Sequence, residues 1–69
     1  MKKHYTTKEL EFYKKECQFN EENGELEVLE LANKGKKYIA ISIDTGLSVE
    51  TVKRRIKSIN EKIERVNKQ

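Results

Sequence analysis

The sequence predicts an all-α fold, a small helical bundle of about four helices. Apolar residues recur at spacings of three and four along most of the chain, which is the period of an amphipathic helix. The 69 residues include no proline, and residues that start helices or allow turns separate the apolar stretches. A chain of this length is expected to form a single domain, residues 1–69, with room for one hydrophobic core.

The first helix is predicted from about Thr7 to Cys17, within an N-terminal segment of residues 1–19. Thr6 followed by Glu9 has the spacing of a capping box. One face of this helix is apolar, with Phe12 beside it, and consists of Leu10, Tyr13 and Cys17.

A scaffold helix is predicted within residues 20–35. Asn20 is a suitable N-cap, and the helix is expected to continue to about Asn33. Gly35 stands where a helix end favours a left-handed residue, so the chain should turn sharply there. The residues expected to face the core are Leu26, Val28 and Leu29, with Leu31 and Ala32 widening the stripe.

The third segment, Lys37 to Thr45, has an ambiguous pattern. Its apolar residues nearly alternate, which would equally describe a short strand; they are Tyr38, Ile39, Ile41 and Ile43. A lone strand would have no pairing partner in an otherwise helical chain, and a two-stranded hairpin is marginal in water. We therefore predict a short helix.

The fourth helix gives the clearest pattern. Ser48 is a good N-cap, and from Val49 to Val66 the helix would be about 27 Å long. Its apolar stripe continues into residues 60–69 and needs a partner there. The first helix could supply it through Leu10, Phe12 and Tyr13, which we favour for at least part of the stripe, or a second copy of the chain could. The stripe consists of Val52, Ile56, Ile59, Ile63 and Val66.

Charge is unevenly distributed along the chain. The net charge is +3, but residues 1–19 carry five Lys and three Glu (+2), and residues 20–50 carry three Lys, six Glu and one Asp (−4). The last nineteen residues carry seven Lys or Arg and two Glu (+5). A local excess of positive charge is what attraction to phosphate requires, although a solvated lysine-rich helix face is the alternative.

Residues 36–59 have the pattern of a helix-turn-helix whose second, recognition helix is long. Gly46 can adopt positive φ and Ser48 can start the next helix, so the two helices should meet at a steep angle. In such a motif the first helix supports the second, whose N-terminal half enters the major groove.

The stretch from Glu25 onward resembles a known family. Glu25 to Gly35, then Ile41, Gly46-Leu47-Ser48, Thr51-Val52-Lys53 and Ile56 resemble the DNA-binding domain of LuxR-type regulators and the promoter-reading domain of bacterial sigma factors. Three departures are Ser42 where alanine is usual, Thr45 where leucine is usual, and no counterpart of the family's short fourth helix. The resemblance implies duplex DNA binding. Separately, the lysine, isoleucine and asparagine usage is compatible with a bacterium or phage of low genomic G+C.

Helical periodicity predicts which residues of the fourth helix face DNA. The stripe through Val52 and Ile56 points inward, so side chains about half a turn away point outward. Arg54 and Lys53 could pair with guanine, and Lys57, one turn further, could neutralise a phosphate. The predicted DNA-contacting set is Lys36, Lys37, Ser48, Glu50, Thr51, Lys53, Arg54 and Lys57.

The remaining members of this set have less specific roles. Ser48 and Thr51 could reach phosphates or bases, and Lys36 and Lys37 precede a helix start that could hold a phosphate. Glu50 could accept from cytosine, or it could simply be a favourable acid in the first helical turn.

Little in the sequence predicts catalysis, so we expect no enzyme activity, no cofactor, no metal site and no small-molecule ligand. His4 is expected to be an exposed tail residue. Cys17 is expected to be a small buried apolar residue, with an intermolecular disulfide as the alternative. The chain has neither an apolar run of membrane-spanning length nor the pattern of a signal peptide, so a cytoplasmic location is expected.

These observations predict a sequence-specific duplex DNA-binding protein that acts as a transcriptional regulator and not as a catalyst. The alternatives are a protein-interaction module of the same fold, with RNA polymerase or another regulator as partner, and an accessory DNA-binding protein of a mobile element. A homodimer through Ile59, Ile63 and Val66, or through the N-terminal helix, is a further expectation.

Overall fold

The computed structural model describes residues 4–68, which contain four α-helices and no β-strand. The predicted all-α class with about four helices is therefore confirmed, and the ambiguous third segment is helical. The helices are α1 (Thr7–Cys17), α2 (Glu25–Asn33), α3 (Tyr38–Thr45) and α4 (Val49–Asn67).

The apolar stripe of α4 forms the centre of the core. α4 packs against all three other helices, and α2 also packs against α3. Val52 and Ile59 have no exposed surface, Ile56 and Ile63 are buried, and Val66 is half-buried against the same cluster. The other buried apolar residues are Tyr5, Tyr13, Phe19, Val28, Leu29 and Ile41.

The C-terminal half of α4 finds its apolar partner within the chain. α1 packs on it, and the Tyr13 hydroxyl donates a hydrogen bond to Asn67 Oδ1 at 3.1 Å. Packing of the stripe against the first helix is thus confirmed. The expectation that Phe12 takes part in this packing is wrong, because its side chain is 51% exposed and it is not among the residues packed against the core. Its ring makes a T-shaped contact with the Tyr13 ring, at 5.4 Å between centroids.

Two helix starts follow the caps that the sequence predicts. Glu9 N donates to the Thr6 hydroxyl at 3.1 Å, and Thr6 N donates to the Glu9 carboxylate at 3.0 Å, which completes a capping box. At α4, Thr51 N donates to Ser48 Oγ at 3.1 Å. These side chains replace the partners that the first N–H groups of a helix lack.

The predicted start of the second helix is wrong by four residues, since the N-cap is Gly24 and not Asn20. Asn20 caps a turn instead, since its Oδ1 accepts from Glu22 N at 2.9 Å and from Asn23 N at 3.3 Å. Gly24 then adopts a left-handed φ of 82°, which ends the turn and places the start of α2 at Glu25. The Asn side chain has the same capping chemistry in both cases, so composition alone did not distinguish them.

Glu25 is a buried carboxylate that joins the start of α2 to α4. It is 3% exposed, and it accepts from Ser58 Oγ at 2.7 Å, Lys62 Nζ at 2.5 Å and Asn20 N at 2.9 Å. Burial raises the pKa of Glu25. The opposing effects are larger: they are the hydrogen bonds from Asn20 N–H, Lys62 and Ser58 and the charge of Lys62. The net pKa of Glu25 therefore lies below its ordinary value.

The segment before α1 is held to the end of α2. Tyr5 N donates to Asn33 Oδ1 at 2.5 Å, and Asn33 Nδ2 donates to Tyr5 O at 3.1 Å. His4 is exposed as expected, but its Nδ1 lies 3.0 Å from Asn33 O, so its side chain contacts the end of α2.

Cys17 is half-buried against the core rather than fully buried, and burial raises the pKa of its thiol.

The connection between α3 and α4 uses a left-handed glycine and two hydroxyls. Gly46 has φ 77°, and its N–H donates to Ser42 O at 2.9 Å. Ser42 Oγ donates to Leu47 O at 2.5 Å, while Thr45 Oγ1 donates to Ile41 O at 2.7 Å and accepts from Leu47 N at 3.2 Å. Ser42 and Thr45, which stand where the resembling families usually have alanine and leucine, therefore both form side-chain hydrogen bonds to backbone groups at this helix junction.

Gly46→Ala tests the need for glycine in this connection. A Cβ at Gly46 would meet nothing within 4 Å, so any penalty comes from the left-handed backbone alone. We expect a loss of about 1 kcal/mol in the free energy of unfolding, because L-residues with a Cβ disfavour this region. Gly46→Asn should lose less, since asparagine tolerates that region better. Equal losses in urea denaturation would contradict this explanation.

Candidate functional site

The first half of α4 presents exposed basic side chains outside its buried stripe. Lys53, Arg54 and Lys57 are all exposed, whereas Val52 and Ile56 of the same turns are buried. The predicted exposure of these three cations is thus found in the structure; by helical period Arg54 and Lys57 lie opposite the stripe and Lys53 lies on its flank. We call these three residues the basic face of α4.

Tyr38 connects α3 to the basic face. Lys53 Nζ lies 5.7 Å from the centroid of the Tyr38 ring, within the range of a cation–π contact, and the ring is 44% exposed. The contact restricts the Lys53 side chain while leaving its ammonium group near solvent. Tyr38 was predicted only as part of the apolar pattern of its helix, so this contact with Lys53 was not predicted.

Ser48 and Thr51 form a small hydroxyl pair at the start of α4. Ser48 Oγ donates to Thr51 Oγ1 at 2.9 Å while accepting from Thr51 N. Ser48 therefore uses its proton inside the cap, and the Thr51 hydroxyl keeps a proton that it can donate outward. Glu50 is exposed in the first turn of the helix, where a negative charge interacts favourably with the helix dipole.

Lys36 and Lys37 lie immediately before α3 and are both exposed. Lys37 is the N-cap residue of α3 and makes no side-chain cap, so it does not satisfy the N–H groups of the first turn. Lys36 is engaged in an ion pair, with Nζ 2.6 Å from Asp44 Oδ2 at the other end of α3. Of these two lysines, only Lys37 is without an ion pair within residues 4–68.

Two of the seven Lys and Arg residues among the last nineteen residues are engaged in contacts within the chain, so they add less to the exposed positive charge. Arg55 Nε donates to Asn23 O at 2.9 Å, and Lys62 binds the buried carboxylate of Glu25. Glu61 is exposed and, by helical period, falls on the same side of α4 as Arg54 and Lys57. The basic face is therefore confined to the first half of the helix, with Glu61 beyond it.

The predicted site residues do not form one cluster. The basic face, the hydroxyl pair and Glu50 all lie on the first three turns of α4, whereas Lys36 and Lys37 lie before α3. The Tyr38–Lys53 contact is the link between these two parts. An outward-facing row of cations on a helix suits contact with an extended anionic surface better than enclosure of a small ligand.

Comparisons with family models, curated proteins and solved structures give no match for this chain. Within residues 4–68, no helix has the length and apolar character needed to cross a lipid bilayer.

Proposed function

We propose that this protein binds double-stranded DNA sequence-specifically, with α3 and α4 forming a helix-turn-helix. The observation that carries the proposal is the basic face of α4, in which Lys53, Arg54 and Lys57 are exposed while the apolar stripe of the same helix is buried. The major groove is about 12 Å wide and admits a helix whose outward side chains can reach base edges. The resemblance to LuxR-type and sigma-factor domains supports the same conclusion.

Arg54 and Lys53 are proposed to read bases. An arginine that points straight out from a helix can donate two hydrogen bonds to guanine O6 and N7, and this geometry discriminates guanine from the other bases. Lys53 is restricted by the Tyr38 ring, so it loses less conformational freedom when it binds. Glu50, one turn before Arg54, is proposed to accept from cytosine or to exclude phosphate from that end.

The remaining residues are proposed to fix the position of the protein on the sugar–phosphate backbone. Lys57 lies one turn beyond the base-reading pair, Thr51 can donate its hydroxyl proton, and Lys37 stands beside the uncapped start of α3. Contacts of this kind set orientation and carry no sequence information directly. Lys36 would have to exchange its Asp44 partner for a phosphate, so we assign it the smallest contribution.

A non-catalytic regulator that occupies a promoter or operator in a bacterium or phage is the role that fits these contacts. Binding at such a site can repress or activate transcription without chemical change of the DNA. The alternative, a protein-interaction module of the same fold, would not require the cations of the basic face.

The decisive experiment is binding to fluorescently labelled duplex DNA at salt concentrations from about 50 mM to about 300 mM. Release of counterions makes log affinity fall linearly with log salt, with a slope of about −0.9 per neutralised phosphate. We expect a steep negative slope for this protein. Absence of salt-sensitive binding to a random duplex pool would refute the proposal and favour the interaction module.

Lys57→Ala should reduce the steepness of that salt dependence by about 0.9, because one phosphate contact is lost. The same variant should weaken binding about equally for all duplex sequences. Arg65→Ala is the matched control, since Arg65 is another exposed cation of α4 that lies beyond Glu61. An equal change of slope for the two variants would contradict the assigned position of the DNA.

A further inference from the structure

Lys53 has an aromatic ring as its partner, where other lysines of the chain have a carboxylate. Within residues 4–68, three lysines lie in ion pairs with acids, namely Lys14, Lys36 and Lys62. The Lys53 ammonium instead lies over the Tyr38 ring, at 5.7 Å from its centroid. A neutral ring does not compensate the positive charge, so Lys53 remains available to an acceptor on a ligand.

The position of the Tyr38 ring is set by α3 and not by α4. Tyr38 is the first residue of α3, and Ile41, three residues later, has no exposed surface, so this helix is anchored in the core. A tyrosine side chain has only two χ angles, whereas lysine carries its ammonium on a flexible four-carbon stem. The ring is therefore the more rigid member of the pair, and the crossing of α3 and α4 determines where the Lys53 ammonium lies.

A lysine without such a contact is a poor reader of sequence. Its ammonium is a strongly hydrated point charge with many accessible positions. Phosphates line both edges of the major groove, so an unrestricted lysine on a helix in the groove meets a phosphate as readily as a base. Contacts with phosphate carry no sequence information directly. Restriction of the ammonium to one region removes many of these alternatives.

We propose that Tyr38 is the positioning residue that makes Lys53 selective for a base, so that preference at one base pair depends on a side chain outside the recognition helix. This inference rests on the proposed function, because it concerns the same surface and the same duplex ligand. Lys53 is exposed and Tyr38 is 44% exposed, so DNA can reach the pair. The ammonium donates to guanine O6 and N7, and Tyr38 acts on the base only through Lys53.

The opposite role for the ring would be to keep Lys53 away from DNA. The chemistry of the contact argues against it, because a cation–π contact is an attraction between the charge and the ring quadrupole. The ammonium has three N–H donors, so it can remain near the ring while it donates to a base. The two roles predict changes of opposite sign in affinity when the ring is removed.

Base selectivity of ring variants is the decisive measurement. The wild type, Tyr38→Phe and Tyr38→Leu are titrated with each single-base variant of the best site selected from a random duplex pool. An exposed cation–π contact is weak, so Tyr38→Leu should lose about two- to fivefold of the preference at one base pair. Its affinity for non-specific duplex should change far less, because Lys53 then neutralises a phosphate instead. Tyr38→Phe retains the ring and should retain the preference.

A double-mutant cycle tests whether Tyr38 acts through Lys53. Lys53→Met removes the ammonium and should lose the preference at the same base pair, and adding Tyr38→Leu to it should cause no further loss. A merely structural role for Tyr38 would weaken binding to all sequences in both backgrounds. Tyr38→Gln is a second non-aromatic variant, which carries the test if leucine disturbs the fold in urea denaturation, and it should lose the same preference.

Nuclear magnetic resonance measures the contact in the free protein, without DNA. Protons over the face of an aromatic ring resonate upfield. The ε-methylene protons of Lys53 should therefore be shifted upfield in the wild type and in Tyr38→Phe, and the shift should be lost in Tyr38→Leu. The ε-methylene protons of Lys57 are the control, because this lysine is exposed on the same helix and has no ring contact within residues 4–68.

Four results would overturn the proposal. They are no upfield shift at Lys53 in the wild type, full preference in Tyr38→Leu when the wild type binds selectively, tighter binding of Tyr38→Leu to all sequences, or an equal loss of preference in Tyr38→Phe. Each of them leaves salt-sensitive binding of the wild type, and so the proposed function, intact. A wild type that binds no duplex, even with the upfield shift present, would refute the proposed function and this inference together.

Discussion

Arg54→Ala is expected to weaken binding to the best duplex site by about 10- to 100-fold and to remove the preference at one base pair. Loss of a good bidentate contact to guanine costs about 1–3 kcal/mol, and the loss falls on the preferred base alone. Non-specific affinity should change far less, because it depends on total phosphate contact. The measurement is selection of preferred sites from a random duplex pool, followed by titration with each single-base variant of the best site.

Arg55→Ala is the matched control for this experiment. Arg55 is the next residue and the same side chain, but its guanidinium is turned inward to Asn23 O at 2.9 Å. Its replacement should lower the free energy of unfolding by about 1 kcal/mol, the net value of one hydrogen bond, without changing the preferred sequence. If Arg55→Ala changed base preference and Arg54→Ala did not, the proposed orientation of α4 in the groove would be wrong.

Glu25→Ala is expected to have the largest effect on stability, a loss of about 3 kcal/mol in the free energy of unfolding. Removing the carboxylate of a buried ion pair leaves the groups that donated to it without an acceptor, and here those groups include Asn20 N and Ser58 Oγ. The value lies at the low end of the usual range because Lys62 is partly exposed and can turn to water. A small domain has only about 3–10 kcal/mol in total, so this variant should be close to unfolding at 37 °C.

The stabilisation from Glu25 should also depend on pH, with a definite sign. The pKa of Glu25 is lower in the folded chain than in the unfolded chain, so the folded state holds the carboxylate in its charged form. This contribution is fully present above the ordinary pKa of 4.5 and is lost as pH falls through the lower folded value. Denaturation of the wild type and of Glu25→Gln should therefore differ most near neutral pH and converge in acid.

Glu25→Gln separates charge from packing in this comparison. Glutamine has a similar size and can still accept hydrogen bonds, but it cannot carry the charge that pairs with Lys62. Glu27→Gln is a suitable control, because Glu27 is an exposed acid in the first turn of the same helix. A pH dependence that is lost equally in both variants would show that Glu25 is not the group responsible.

Helix number and helix ends were predictable where local chemistry was unambiguous. The Thr6–Glu9 capping box and the Ser48 cap depend on residues a few positions apart, so the sequence contains all of their geometry. The stripe of α4 was predictable for the same reason, since its period is fixed by the helix. The start of α2 was not, because Asn20 caps a turn or a helix equally well.

The candidate site was predictable in its outline and not in its internal contacts. Periodicity alone placed Arg54 and Lys57 opposite the buried stripe of α4 and Lys53 on its flank. It could not show that Lys53 lies over Tyr38, since that contact joins two helices and depends on how they cross. It also gave no sign that Lys36 is paired with Asp44, because the two are eight residues apart and only the fold brings their side chains together.

The sequence by itself determined the all-α class, the caps of α1 and α4, and which side of α4 is buried, because each depends on interactions within a few residues. Only the tertiary structure decided that Glu25 is buried with Lys62, that Arg55 turns inward while Arg54 turns out, and that Ile39 and Ile43 are left in water. The physical reason is that burial and pairing across a core depend on where separate helices meet. Local periodicity fixes the direction of a side chain on its own helix and not what it encounters there.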